Sequence, residues 1–259
     1  MCYTINVNGR LLDLSEPLVM GILNVTSDYF YADSRVQTEE EVVSRAAAIL
    51  EEGGEIIDVG ACSTRPGGTV VTQEEEYARL EMALPAICRH FPDAILSIDT
   101  FRPAIARWAV RQYGVAMIND VGDASVSRQE MFEEVARLQV PYILMSTCGN
   151  IHDMLLTFAT EVQQLHALGV KDIILDPGFG FGKTLEENFT VMRDTGRLQA
   201  FHLPVLAGIS RKSMIYKTLD STPSEALVGT AVLNGYLLQQ GVSILRVHDV
   251  REAVETVTL

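Results

Sequence analysis

Eight short apolar runs recur along this chain, at residues 18–23, 55–60, 94–99, 116–120, 142–145, 172–176, 204–208 and 243–247, and amphipathic stretches separate them. Runs such as Ile173-Ile174-Leu175 are apolar without alternation, the pattern of parallel strands covered on both faces. Eight such units in 259 residues match an α/β fold, the (β/α)8 or TIM barrel, which closes at eight strands and takes about 250 residues. An open doubly wound sheet is the other architecture built from these units. Its usual mark, a G-x-G-x-x-G turn after the first strand, is missing. Gly178-Phe179-Gly180-Phe181-Gly182 follows a late strand and has different spacing.

The helical stretches carry their own punctuation. Thr38 and Glu41 have capping-box spacing, and Val42, Ala46, Ile49 and Leu50 then recur with helical period. Residues 74–91, 103–113, 128–138, 153–168 and 223–240 behave similarly, and Gly53, Gly114, Gly169 and Gly241 follow helices as C-terminal caps. Ahead of the first run, Asn8-Gly9 sits between alternating residues and predicts a β-hairpin over 1–15, placed to cap the bottom of a barrel. No linker, low-complexity tract or composition break interrupts the chain, so a single domain over 1–259 is expected.

A hydrophobic content of 47% is enough for a sizeable core. The net charge of −14 disfavours nucleic acid or an acidic membrane as partner, because a negative field repels phosphate. A small phosphorylated substrate is still admissible, since it sees only the local field of its pocket. Cys2, Cys62, Cys88 and Cys148 have neither C-x-x-C nor zinc-finger spacing, so free thiols are expected. With no signal peptide and no apolar stretch of about 18 residues, a cytoplasmic location is expected.

Polar residues gather at the C-terminal ends of the runs. These are Asn24, the Ser63-Thr64-Arg65-Pro66-Gly67 segment, Asp99, Asn119, Asp176, the Ser210-Arg211-Lys212-Ser213 segment, and Arg246 with His248. In a barrel all these ends ring one mouth, where active sites of this fold lie. Asp99, Asn119 and Asp176 suit a flat heterocycle that presents several N–H donors. Two carboxylates in an apolar barrel are costly unless such donors compensate. Asn24, Arg65, Arg246 and His248 suit an anionic leaving group. Lys212 is a cation near the ring heteroatoms, and Ser213 begins a helix whose free N–H groups attract an anion.

Other readings compete with these. Asp99 also reads as a helix cap, since Thr100 and Pro103 follow it, and Arg246 as a surface ion-pair partner. Asp58, inside the second run, reads as a satisfied structural carboxylate and is left outside the site. His90, His152, His166 and His202 share no metal-binding spacing and read as exposed. Cys62 reads as a packing residue. No Ser–His–Asp or Cys–His set is convincing.

Taken together, several segments resemble the dihydropteroate synthase family. They are Met20-Gly21-Ile22-Leu23-Asn24-Val25-Thr26, Ile57-Asp58-Val59-Gly60, Ser63-Thr64-Arg65-Pro66-Gly67, Ser97-Ile98-Asp99-Thr100, Ile118-Asn119-Asp120-Val121, Leu175-Asp176-Pro177-Gly178-Phe179-Gly180-Phe181-Gly182-Lys183-Thr184, Ser210-Arg211-Lys212-Ser213 and Leu245-Arg246-Val247-His248-Asp249. They stand in the family's order over nearly the whole chain. The resemblance implies condensation of (7,8-dihydropterin-6-yl)methyl diphosphate with 4-aminobenzoate, releasing diphosphate with Mg²⁺ assistance. It implies pterin contacts from Asp99, Asn119, Met145, Asp176, Lys212 and Arg246, and diphosphate contacts from Asn24, Arg65, Arg246 and His248. Asn24 would contact Mg²⁺. Phe30, Thr64, Pro66, Phe181 and Ser213 would surround 4-aminobenzoate, where sulfonamides compete in this family. Lys212, Asp99, Asp28 and Arg65 would serve catalysis, and the family is commonly homodimeric.

The chain departs from the family pattern in four places. Ala32 meets the family's second first-loop Asp, with Asp33 following. Met145-Ser146 replaces Met-His, and residues 147–153 form a shorter connection. Cys62 stands where many members carry Glu. Two rival functions stay open on these grounds: a barrel that transfers a methyl group from methyltetrahydrofolate, and a non-catalytic pterin-binding relative.

Overall fold

The computed structural model describes residues 3–25, 38–62, 71–122 and 126–259. Strands β1 (Thr4–Val7) and β2 (Arg10–Asp13) form the predicted antiparallel hairpin, with Val7 opposite Arg10 around Asn8 and Gly9. Eight parallel strands follow: β3 (Leu18–Asn24), β4 (Ile56–Gly60), β5 (Ile95–Asp99), β6 (Met117–Asp120), β7 (Tyr142–Met145), β8 (Ile173–Asp176), β9 (Leu206–Ala207) and β10 (Ile244–Val247). Their order is β8-β7-β6-β5-β4-β3-β10-β9, and a parallel bridge from Leu175 to Val205 joins the two ends into a nearly closed barrel. β9 is shorter than the run 204–208 suggested. Pro204 has no N–H to donate, and its carbonyl accepts from Leu175 N at 2.9 Å.

Helices α1 (Glu39–Glu51), α2 (Gln73–His90), α3 (Pro103–Tyr113), α4 (Arg128–Leu138) and α5 (Ile151–Ala167) occupy the stretches read as helical. Thr38 and Glu41 make both bonds of the capping box. α5 starts two residues earlier than expected because Asn150 caps it, accepting from Asp153 N at 2.9 Å. Helix α6 (Leu185–Asp194) was not singled out in the sequence, although Thr184 and Glu187 form a second capping box. The chain continues through α7 (Ser213–Tyr216), α8 (Leu227–Gln239) and α9 (Val250–Thr258). The stretch expected as one helix over 223–240 is broken. Pro223–Glu225 form a separate 3₁₀ turn ahead of α8, closed by a Thr222–Glu225 capping box, and Arg211 Nη1 takes the carbonyls of Pro223 (2.9 Å) and Ser224 (2.6 Å).

The alternation of strand side chains sorts the interior into two layers. Ile57, Val59, Ile98, Ile118, Leu144, Leu175 and Leu245 join the cluster packed against the helices. Met20, Ile56, Met117, Ile143, Ile174, Leu206 and Ile244 face inward, and Ile5, Val7 and Leu14 of the hairpin segment plug the barrel beneath them. Stepping two residues at a time toward the strand C-termini, the same inward face turns polar. Ile56 leads to Asp58, Met117 to Asn119, Ile174 to Asp176 and Ile244 to Arg246, while Ile95 leads to Ser97 and Asp99. The lower layer therefore supplies a dry floor for a polar upper layer.

Truncating the plug tests its energetic role. Ile5→Ala should lower unfolding stability by about 2–5 kcal/mol, read as a lower urea midpoint with an unchanged slope. A midpoint equal to the parent's would show that the hairpin lies loosely against the barrel.

Candidate active site

The centre of the polar layer is a charge cluster. Arg246 Nε donates to Asp58 Oδ2 and Arg246 Nη2 donates to Asp99 Oδ2, both at 2.6 Å. Asn119 Nδ2 donates to the same Asp58 oxygen at 3.0 Å. Asp58 is completely buried and the Arg246 side chain is 11% exposed, so Arg246 is an interior ion-pair residue rather than a surface one. Asp58 accordingly belongs to the site that the sequence reading left it out of. Nor does Asp99 cap the following helix, because the residue at the cap of α3 is Arg102. Burial pushes the Asp99 carboxyl up to about 7; Arg246 opposes the shift, and Asp58, Glu76 and Asp120 reinforce it.

Asn24, at the end of β3, is buried beside Gly60 of β4. A Cβ on Gly60 would lie 3.3 Å from Asn24 Oδ1 and 3.4 Å from Asp99 Cβ, so the glycine leaves room for both side chains. Across the barrel, Asp176 Oδ1 accepts from Gly178 N at 2.7 Å. Burial raises the Asp176 carboxyl, with Lys212 the main opposing charge. Gly178 has φ +64, and a Cβ there would meet Ser146 O at 2.2 Å, so glycine is required where this turn crosses the β7 end.

Lys212 Nζ donates to Phe179 O at 2.5 Å and lies 4.5 Å from the Phe181 ring centroid, a cation–π contact. Burial lowers its ammonium to about 8. Arg211, next to it, has φ +54 and pairs bidentately with Asp249 at 2.9 and 2.8 Å. This clamp fixes the loop that carries Lys212 and brings Ser213 to the start of α7. Lys183 is a further site residue, which the sequence alone does not point to. Its ammonium donates to the carbonyls of Ser146 (3.0 Å), Gly178 (2.9 Å) and Phe181 (3.3 Å), tying the glycine-rich turn to the β7 end. The signal available for it was position alone, directly after that turn.

His248 is buried. Its Nδ1 is 3.0 Å from Ser210 Oγ, and its backbone N–H donates to the same oxygen at 3.1 Å. Arg45 Nη2 donates to His248 O at 2.6 Å, and Arg45 Nε to Ile22 O at 3.2 Å, joining two strand ends. Burial holds the imidazole well below its usual range for protonation, and Arg246, Arg45, Arg211 and Lys212 push the same way.

Buried polar atoms of this layer, Asn24 Nδ2, Asp58 Oδ1, Ser97 Oγ, Asp99 Oδ1 and Asn119 Oδ1 among them, have no hydrogen-bond partner among the described residues. Orphans of this kind are rare in native interiors and mark places where water or a ligand completes the bonding. The ring can accept from several N–H donors on one side and present cations to an anion on the other. The described residues thus bring Asn24, Asp99, Asn119, Met145, Asp176, Lys212, Ser213, Arg246 and His248 to the C-terminal side of the barrel. Asp28, Phe30, Ala32, Asp33, Thr64, Arg65 and Pro66 lie outside the described residues. His90, His152, His166 and His202 are exposed, Cys62 is buried, and no cluster with metal-ligating composition occurs among the described residues. A cavity of about 420 Å³ opens beside the mouth between the β6 and β7 ends, α4 and α5, and shares Met145 with the ring.

Residues 20–248 match the family model described as pterin binding enzyme. The dihydropteroate synthase of Escherichia coli strain K12 is 37% identical over 262 residues, covering 95% of this chain and 92% of the relative. The Yersinia pestis dihydropteroate synthase, solved as a sulfonamide drug complex, superposes with a TM-score of 0.89 at 32% identity, covering 99% of this chain and 97% of that one. The Xanthomonas albilineans enzyme, solved with 4-aminobenzoic acid, gives 0.88 at 34% identity, covering 100% and 97%. The chain belongs to the pterin-binding enzyme family, among the dihydropteroate synthases.

Proposed function

We propose that this chain condenses (7,8-dihydropterin-6-yl)methyl diphosphate with 4-aminobenzoate to give 7,8-dihydropteroate and diphosphate. The observation that carries the proposal is the set of orphaned polar atoms beside the Arg246 cluster, within a barrel 37% identical to a dihydropteroate synthase. Asp176 and Asp99 accept N–H donors of the pterin, Asn119 reads its edge, Met145 packs against it, and Lys212 faces a ring heteroatom. In the free protein Arg246 Nη2 fills one oxygen of Asp99. A pterin N–H takes the other oxygen, Oδ1, which has no hydrogen-bond partner among the described residues, while Asp58 holds Arg246 through Nε. Arg246 also serves the diphosphate, with His248, Asn24 and Arg65.

As the methylene C–O bond breaks, positive charge spreads over the pterin and is stabilised by the buried carboxylates. The electron pair leaves on the diphosphate oxygen. The aminobenzoate nitrogen forms the new C–N bond and loses a proton to solvent. The amine's carboxylate rests at Ser213, and its ring lies near Phe181, Phe30, Thr64 and Pro66. Sulfonamides would compete there. Lys212, Asp99, Asp28 and Arg65 are the catalytic set.

A Mg²⁺ ion held by one protein oxygen and substrate phosphates needs no carboxylate cluster. A buried inward amide at Asn24 fits that requirement. When bound there, the ion would neutralise charge on the leaving group.

A homodimer and a cytoplasmic setting complete the proposal. α8 leaves Val228 73% and Val232 65% exposed, which suits burial against a second copy. Free thiols at Cys62, Cys88 and Cys148 suit a reducing compartment. No helix among the described residues is long and apolar enough to cross a membrane.

Purified protein should release diphosphate from the pterin substrate only when 4-aminobenzoate is present. Asp176→Asn, which makes an acceptor partly a donor, should weaken pterin diphosphate binding at least about tenfold by calorimetry. Amine-independent release, or unchanged binding by the variant, would defeat the assignment.

Binding of the phosphate-free pterin alcohol should weaken as pH falls through about 7, because Asp99 takes up a proton there and loses its acceptor role. The break should vanish in Asp99→Asn, which binds weakly at every pH. A flat profile from pH 6 to 9 in the parent would count against Asp99 as the ionised acceptor.

Sedimentation should show a dimer that Val232→Glu converts to monomer, since a charge would then enter the apolar face. A parent that sediments as a monomer at micromolar concentration would dismiss the dimer.

A further inference from the structure

We propose that Ser210 is a positioning residue that holds His248 in the tautomer with its proton on Nε2, so that the ring meets the substrate's anion as a hydrogen-bond donor. This rests on the reading that His248 faces the diphosphate. The assignment follows from counting what one hydroxyl can do. Ser210 Oγ lies 3.1 Å from the backbone N of His248 and 3.0 Å from its Nδ1. The backbone N–H can only donate, so it uses an oxygen lone pair. The hydroxyl has one hydrogen left to place.

Ser210 is 3% exposed, and His248 Nδ1 is the one acceptor within reach of that hydrogen among the described residues. If Nδ1 carried a proton, the oxygen would receive two N–H groups and its own hydrogen would be buried without an acceptor. Interiors avoid that arrangement. The hydroxyl therefore donates to Nδ1, and a neutral ring carries its proton on Nε2. The second proton of an imidazolium is opposed by burial and by the charges of Arg246, Arg45, Arg211 and Lys212.

The arrangement suits an anion site already crowded with cations. A further lysine or arginine there would repel its neighbours in the ligand-free protein. A neutral imidazole offers a directed N–H without added charge. The same tautomer prevents Nε2 from accepting a proton, so His248 does not deprotonate the attacking amine. Ser210 precedes the left-handed Arg211, and His248 follows β10. The Ser210–His248 pair therefore also links the loops of adjacent strands β9 and β10.

The test is ¹⁵N NMR of the full-length protein labelled at histidine. Its five histidines are few enough to resolve, and His248→Gln identifies the resonance. The parent should show an unprotonated Nδ1 and a protonated Nε2 from pH 6 to 9. Inorganic diphosphate should shift the Nε2 signal. Ser210→Ala should mix the tautomers and weaken inorganic diphosphate binding about tenfold, with binding of the phosphate-free pterin alcohol unchanged. Ser210→Thr should restore both signal and affinity.

A protonated Nδ1 in the parent would overturn the proposal even if the alanine variant failed to fold. So would an alanine variant that bound both ligands as the parent does, or lost both equally. A parent with the expected tautomer whose signals ignored diphosphate would overturn the placement of the anion at His248, leaving the hold of Ser210 on the ring intact.

Discussion

The Arg246 guanidinium, shared between Asp58 and Asp99, is the interaction on which the upper half of the barrel depends. Taking three charges out of water is expensive, and their mutual attraction offsets the cost only when geometry is good and the remaining polar atoms find partners. Two contacts of 2.6 Å supply the geometry. The second condition is incomplete, since Asp58 Oδ1 and Asp99 Oδ1 have no hydrogen-bond partner among the described residues. A cluster built for stability alone would not leave those oxygens bare. The lower, apolar layer makes the cluster tenable: the hairpin plug and the ring of Met20, Ile56, Ile143 and Ile174 exclude water from below, which strengthens each pairing above.

The charge of the whole chain and the charge of its pocket point in opposite directions. A net charge of −14 repels polyanions, yet Arg45, Arg211, Arg246 and Lys212 all act on the buried His248. Several of these cations are held by groups that leave the pocket's polarity intact. Arg211 is clamped on Asp249, outside the inward ring, and Arg45 on two backbone carbonyls. A local cationic field within an acidic protein selects small anions over large ones.

Much of this was legible beforehand. Eight apolar runs, the Asn-Gly hairpin and the capping box at Thr38 correspond to observed elements, because each rests on local rules of burial, turn conformation or capping. Helix α6 is likewise signalled locally, by the capping spacing of Thr184 and Glu187. The break in the helix expected over 223–240 was partly readable from the Thr222 and Glu225 capping spacing, while the capture of two carbonyls there by Arg211 was not.

By itself the sequence determined which residue types stand at the strand ends and the two-residue period that turns them inward, because alternation is a property of the strand backbone. Only the tertiary structure decided that Asp58 joins them, that Arg246 spans Asp58 and Asp99, and that Ser210 meets His248. Those pairings join residues 38 to 188 positions apart. They arise from barrel closure and strand register, which no single segment encodes.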